Sequence, residues 1–386
     1  MSFPAHLLPL ISSLVQAKAA TNAFSGVVRL QQHQEILWEG SFGYANRAWN
    51  ITNNRHTRFR IASIGKMFTA VALLQLVDQG QITLETRLLD HLPLPKVPPV
   101  KGGIVTELET RLLDHLPLPS STIPPETTLF HLLTMTAGIA DWFEETDDWE
   151  AQWAILRQNT PLYLLRQNRD YLPLFSQKPP SGPMGVHRYN NASYILLGLL
   201  LEQITGLTYT ELIQQYVFTP AGMVDSGFWG LADPVPGIAE GYIPEWAENG
   251  QVRRWWRNIY ETTPDAAADG GAISTATDLI RFLQMLRAGL FFSPTLTQAI
   301  LTPHVLVDPE QFRGYGWYYG FGNAFLLDAA NQIVRYGHTG EEAGVSCRLY
   351  HYPSLELDVI ILGNQSNCAG ALGWAIHDIL MGTQSV

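Results

Sequence analysis

Charge is scarce in this chain of 386 residues. Asp, Glu, Lys and Arg make up only 15% of it, against about 25% in a typical domain. The balance is acidic, 24 − 35 = −11, which leaves no face-wide basic footprint for nucleic acid and disfavours attraction to anionic membranes. Cysteine is rarer still. Cys347 and Cys368 cannot build a disulfide framework; they read as buried thiols and fit a reducing compartment. Apolar runs are short. The longest, Tyr194 to Leu201, falls well below the 18 or so residues of a membrane span. No Lys or Arg precedes the first apolar stretch, MSFPAHLLPLISSLV, so a secretory leader is not expected and the expected location is cytoplasmic. Several catalytic signatures are missing: G-x-S-x-G, the phosphate-binding G-x-x-x-x-G-K-[ST], H-E-x-x-H and C-x-x-C. With 46% hydrophobic residues, the chain is nevertheless rich enough to fold around a core.

Leu7, Leu8, Ile11, Leu14 and Val15 recur at helical spacing and predict an amphipathic first helix. Phe24 to Asn46 reads as a β-hairpin. A helix follows from about Ile64 to Asp78, apolar on nearly all sides and stopped at Gly80. The middle third is helical and interrupted by proline. The last third returns to strands at Gly314–Ala324, Ile333–Tyr336, Gly344–Tyr350 and Leu357–Leu362, then a helix over Gly370–Met381. Strands at both ends with helices between predict an α+β fold: one antiparallel sheet assembled from both termini, flanked by helices, with an inserted helical lobe. The expected division is a single two-lobed unit over 1–386, with a sheet lobe at about 1–62 and 265–386 and a helical lobe at about 63–264. LETRLLDHLPLP occurs at Leu84–Pro95 and again at Leu108–Pro119. Two copies make a tandem duplication at 84–119, not a solenoid. Pro93, Pro95, Pro98, Pro99, Gly102 and Gly103 suit a loop, with one copy in the native slot.

Ser63-Ile64-Gly65-Lys66 carries chemistry. On a helix, positions three apart share a face about 5–6 Å apart. Burial favours the neutral amine of a lysine, which can take the serine proton and leave a competent nucleophile. The start of a helix also favours developing negative charge. Two further elements follow in order. Tyr189-Asn190-Asn191 precedes a second apolar helix, and His338-Thr339-Gly340 sits between the strand at Ile333–Tyr336 and the strand from Gly344.

In order and context these three elements resemble the S-x-x-K, Y-x-N and K-T-G or H-T-G triplet of the serine penicillin-recognising family, which holds class C β-lactamases, D-alanyl-D-alanine carboxypeptidases, D-aminopeptidases and esterases. FSGVV, FRIASIGKMFTA, HLLTMTAGI, YNNASYILLG, FTPAGM, ADGGAISTATDL and GHTGEEAG are similar to family blocks in family order. The resemblance spans about residues 5–380. It implies a β-lactamase-like fold and a serine acyl hydrolase that works through a covalent acyl-enzyme, with no metal and no organic cofactor. The implied substrates are small esters, D-amino-acid amides or peptides, or β-lactams, and the implied partner is only a small molecule or short peptide. By the same resemblance Ser63 is the nucleophile, Lys66 assists its deprotonation, Tyr189 shuttles protons, and Asn191 binds Lys66 and the substrate. The N–H groups of Ser63 and Glu341 form the oxyanion hole, His338 and Thr339 contact a substrate carboxylate or shape the cleft, and Gly340 lies on the substrate side with them. Glu341 and Glu342 set two acids beside that strand and weigh against an anionic substrate. Trp142, Trp149 and Trp153 could roof the cleft or simply pack. Arg253, Arg254, Trp255, Trp256 and Arg257 could meet a carboxylate or form a solvated edge strand. Asp269-Gly270-Gly271 reads as a turn, Asp278 as a cap or ion-pair partner at a helix start, and His131 with Met135 as core. The competing function is a catalytically silent binding module on the same fold; the complete set Ser63, Lys66, Tyr189 and Asn191 argues against it.

Overall fold

The computed structural model describes residues 3–92, 122–145 and 148–383. Helix α1 (Leu7–Ala20) buries Ile11 and Val15, four residues apart on one face. The hairpin β1 (Gly26–Gln32) and β2 (Glu35–Phe42) follows. Helix α2 (Gly65–Asp78) is buried on nearly all sides, as its largely apolar sequence requires. Helix α3 (Asn191–Thr205) starts under an Asn190 side-chain cap and ends at Gly206 in the left-handed conformation. Helix α4 (Ala276–Arg287) is capped by Thr275. The remaining strands are β3 (Val305–Leu306), β4 (Gly316–Tyr319), β5 (Ala324–Leu327), β6 (Ile333–Glu342), β7 (Val345–Tyr352) and β8 (Leu357–Gly363), before the last helix α5 (Gly370–Met381).

These eight strands form one antiparallel sheet in the order β2-β1-β8-β7-β6-β5-β4-β3. The fold is α+β and β-lactamase-like. Helices cover both faces, so β8 is buried along its whole length. Val28, Leu30, Val359 and Ile361 pack with α1 and α5. Val27, Leu349, Ile360 and Leu362 join the core of α2, α3 and α4. Among the described residues no helix is long and apolar enough to cross a membrane.

Two strand boundaries differ from the sequence reading. Gly314–Ala324 is not one strand. A turn closed by Gly320 N–H to the Asn323 carbonyl, with Gly322 at positive φ, divides it into β4 and β5. The strand expected to stop at Tyr336 continues to Glu342, because β7 pairs with it from Tyr336↔His351 to Glu342↔Val345. His338-Thr339-Gly340 therefore lies within a strand and not between two. Strand β5 pairs with β6 only as far as Gly337. The half of β6 from His338 onward thus has a free outer edge among the described residues. The first copy of the duplicated segment is seated: Leu88 is buried and its N–H bonds the Thr127 carbonyl. The second copy, and the Pro93, Pro95, Pro98, Pro99, Gly102 and Gly103 loop, lie outside the described residues.

Candidate active site

Ser63 sits in a 3₁₀ turn, Ala62–Ile64, that feeds directly into α2. Its neighbour Ala62 holds φ 45°, a backbone conformation uncommon for a residue with a side chain. Surrounding contacts enforce it. Ile61 N–H bonds the Ala272 carbonyl at 2.9 Å, and Gly271 N–H bonds the Ala62 carbonyl at 3.3 Å. Gly270 and Gly340 are needed where the chain passes this turn. A Cβ at Gly270 would lie 3.0 Å from the Ala62 carbonyl, and one at Gly340 would collide with the Ile61 carbonyl oxygen. Glycine thus lets two segments close on the Ser63 turn.

One helical turn later, Lys66 is fully buried while Ser63 stays partly accessible. Lys66 Nζ lies 3.0 Å from Ser63 Oγ, 2.7 Å from Asn191 Oδ1 and 2.7 Å from the Asp269 carbonyl. The last two partners can only accept hydrogen bonds. Two N–H bonds are therefore committed, and the third position on the nitrogen faces Ser63. In the ammonium it donates to Oγ; in the neutral amine it is the lone pair that receives the serine proton. Burial pulls the Lys66 pKa below its ordinary value, opposed by the charges of Asp269, Glu145 and Asp141.

Asn191 is held by acids on its other side. Its Nδ2 donates to Glu145 at 3.0 Å and to Asp141 at 3.3 Å, and Asp141 also accepts the N–H groups of Asn191 and Ala192 at 2.7 and 2.8 Å. Asp141 thus places a carboxylate on the N-terminus of α3, where the helix leaves free donors. Burial pushes its pKa up to about 7 against those donors. Tyr189 precedes this helix, with its ring centre 5.0 Å from Lys66 Nζ. Burial and the Glu145 charge raise its pKa well above the usual range, against a hydrogen bond from Ser63, so Tyr189 is a neutral phenol at physiological pH.

The structure brings Ser63, Lys66, Tyr189 and Asn191 together and sets Gly340 against the Ser63 turn. His338 and Thr339 lie on opposite faces of β6, as strand alternation requires. His338 is 2% exposed, with Nε2 3.1 Å from the Tyr319 hydroxyl and Nδ1 2.6 Å from the Thr339 carbonyl. The carbonyl needs a donor, so Nδ1 carries the proton. Burial, then the Lys66 charge, pull its pKa down to about 3. His338 is thus a buried, neutral imidazole packed beside Tyr319. Thr339 is exposed. Glu341 and Glu342 are also not free anions. Glu341 pairs with Arg348 at 2.6 Å and Glu342 with Arg60 at 2.7 Å.

Trp142, Trp149 and Trp153 do not form one row. Trp142 precedes the helix Trp149–Asn159 and is buried, with Nε1 on Asp269 Oδ2 at 2.9 Å. It packs edge-on to Trp153 at 6.3 Å, whereas Trp149 is exposed. The arginines Arg253 and Arg257 are paired with Glu245 and Glu240 across a hairpin of Tyr242–Trp246 and Val252–Arg257, with Trp255 against Arg47 and Trp256 against Arg254. Asp278 accepts Asp225 N–H and Ser226 Oγ and pairs with Arg281. His131 caps its own helix with Thr128, and Met135 Sδ accepts the Asn190 N–H. Sequence reasoning missed Asp141 and Glu145, and it assigned Asp269 only to a turn. Their signal was position: Asp141 directly follows the block HLLTMTAGIA, and Asp269 is the acid of ADGG.

A partly accessible serine beside a buried amine on this fold fits a serine hydrolase, and comparison with known proteins agrees. The chain belongs to the beta-lactamase family, whose profile matches residues 11–377. A crystal structure of a penicillin binding protein from Bacillus halodurans is 32% identical, with a TM-score of 0.78 over 96% of this chain and 98% of that one. Esterase EstB of Burkholderia gladioli is 28% identical over 94% of this chain and 92% of its own length. Penicillin-binding protein 4* of Bacillus subtilis is 23% identical over 92% of this chain and 71% of its length.

Proposed function

We propose that the protein hydrolyses small esters and D-amino-acid amides through an acyl-enzyme on Ser63, with β-lactams as further acylating agents. The observation that carries this reading is the arrangement around Lys66, where two obligate acceptors leave its third position to Ser63. Neutral Lys66 takes the Ser63 proton as Oγ attacks the acyl carbon. The oxyanion develops against the N–H groups of Ser63 and Glu341. The Tyr189 phenol passes a proton to the leaving group as it departs and relays one from the water that hydrolyses the ester. Asn191 holds Lys66 in place and meets the substrate, and Thr339 and Gly340 border it along the free edge of β6.

Incubation with a penicillin and with a fluorophosphonate, read by intact mass, tests this directly. One adduct per chain is expected, and Ser63→Ala should carry none. Labelling that persists elsewhere overturns the assignment, and a protein that takes no label and hydrolyses none of p-nitrophenyl esters, D-amino-acid anilides and nitrocefin is instead a silent binding module.

A further inference from the structure

On the face of β6 opposite Lys66 lies an arginine whose charge is not balanced. Arg335 is 6% exposed, and its guanidinium is 4.2 Å from the ring centres of both Tyr350 and Trp374. One N–H reaches the Tyr352 hydroxyl at 3.3 Å. Among the described residues Arg335 makes no ion pair, and Asp378 on the neighbouring α5 is taken by Arg313 at 2.8 Å. The charge is felt nearby: after burial, Arg335 is the largest influence lowering the His377 pKa, to about 4. Aromatic faces attract a cation but do not neutralise it, and a desolvated charge without a counter-ion is costly.

Arg335 opens onto a pocket of about 160 Å³ that Arg348, Phe312, Trp317 and Trp374 also line, with Thr339 at its border. That is well under the roughly 300–1,000 Å³ of sites for drug-sized ligands, so a single ring or short chain fits. Phe312 and Trp317 are 45% and 41% exposed and offer free aromatic surface. Arg348 faces the same side, opposite Thr339 in the strand pairing. Arg348 and its partner Glu341 offset each other, so Arg335 supplies the unbalanced charge of the pocket and Arg348 a further N–H donor.

We propose that this pocket binds a small aromatic carboxylate, its carboxylate on Arg335 and Arg348 and its ring against Phe312 and Trp317. A guanidinium fork suits a planar carboxylate, and such charge-assisted bonds are stronger than neutral ones. The carboxylate can belong to a substrate held at Ser63, since Thr339 joins the pocket to the strand edge beside the nucleophile, or to a separate molecule. Binding is read without turnover, so the proposal stands apart from the acylation chemistry.

Calorimetric titration of the full chain with benzoate and with its neutral counterpart benzamide tests it. Benzoate should bind about tenfold or more tightly than benzamide, the ratio that one charge-assisted contact sustains. Arg335→Met should weaken benzoate about tenfold with the circular dichroism spectrum unchanged. If Arg335→Met does not fold, Trp317→Ala at the exposed rim should still weaken benzoate about threefold. Competitive inhibition of ester hydrolysis by benzoate identifies the pocket as part of the substrate cleft, whereas binding without effect on KM identifies a separate ligand site; both support the pocket. Equal affinity for benzoate and benzamide, no benzoate binding, or unchanged binding in folded Arg335→Met overturns it.

Discussion

The surroundings of Lys66 leave its nitrogen one direction, toward Ser63. Its folded pKa lies below that of free lysine, so the neutral amine is populated at lower pH than usual. Rate should therefore rise with pH through that pKa. Lys66→Arg keeps a cation that cannot deprotonate, and kcat/KM should fall about 10²-fold or more with the rising limb lost; a retained limb would assign it to another group. Tyr189→Phe keeps the ring near Lys66 and removes the proton relay, at a cost of roughly 10²–10⁴ in kcat. A loss of only a few-fold would remove Tyr189 from proton transfer. His338 behaves differently from a lysine at its position. With a pKa near 3 it stays neutral from pH 5.5 to 8.5. The ratio of kcat/KM for an anionic ester to that for a neutral one should therefore follow the same course with pH in the parent and in His338→Gln. A ratio that falls as pH rises in the parent alone would show a cationic His338 after all.

At the scale of elements, the site depends on how α3 begins and how closely β6 approaches the Ser63 turn. Asp141 caps α3 and anchors Asn191 in one stroke. Loss of a helix cap costs about 1–2 kcal/mol. Asp141→Ala should therefore lower Tm by a few degrees and lower kcat as Asn191 loosens, while Asp141→Asn, which keeps an acceptor, should recover most of both. Equal kcat in all three proteins would confine Asp141 to stability. Gly340→Ala forces a Cβ into the Ile61 carbonyl. The strand must retreat from the Ser63 turn, so labelling of Ser63 should slow about tenfold or more with the circular dichroism spectrum unchanged. Labelling at the parental rate would show that the turn and strand can part without cost.

For the whole molecule, the duplication offers a direct test of what the fold requires. The copy at Leu84–Leu92 is already seated, with Leu88 buried against the segment at Thr127–Thr128. Deleting 84–107 leaves one identical copy in that slot and residues 117–121 to reach Thr122. Long loops add little closure entropy, about 0.6 kcal/mol per doubling, so the shortened protein should fold, hydrolyse esters and melt at an equal or slightly higher temperature. An insoluble variant, or one that folds without activity, would give the second copy a structural or functional part.

The amino-acid sequence by itself determined the order of the chemistry-bearing segments and the elements that carry them. Helical spacing placed Ser63 and Lys66 one turn apart, an apolar run required α2 to be buried, and the α5 boundaries read directly as Gly370–Met381. Local pattern suffices there because periodicity and burial are properties of a short window of sequence. Other features were decided only by the tertiary structure. The Asp269 contact to Lys66 is made by a backbone carbonyl, which every residue has and no motif marks. The neutrality of His338 follows from what packs over it, and the single strand through His338-Thr339-Gly340 from pairing with β7. Arg335 reads in sequence as one more polar residue of an alternating strand. Its want of a counter-charge appears only once α5 covers that face with Trp374 and commits Asp378 to Arg313, because the cost of a charge is set by all that surrounds it and not by its neighbours along the chain.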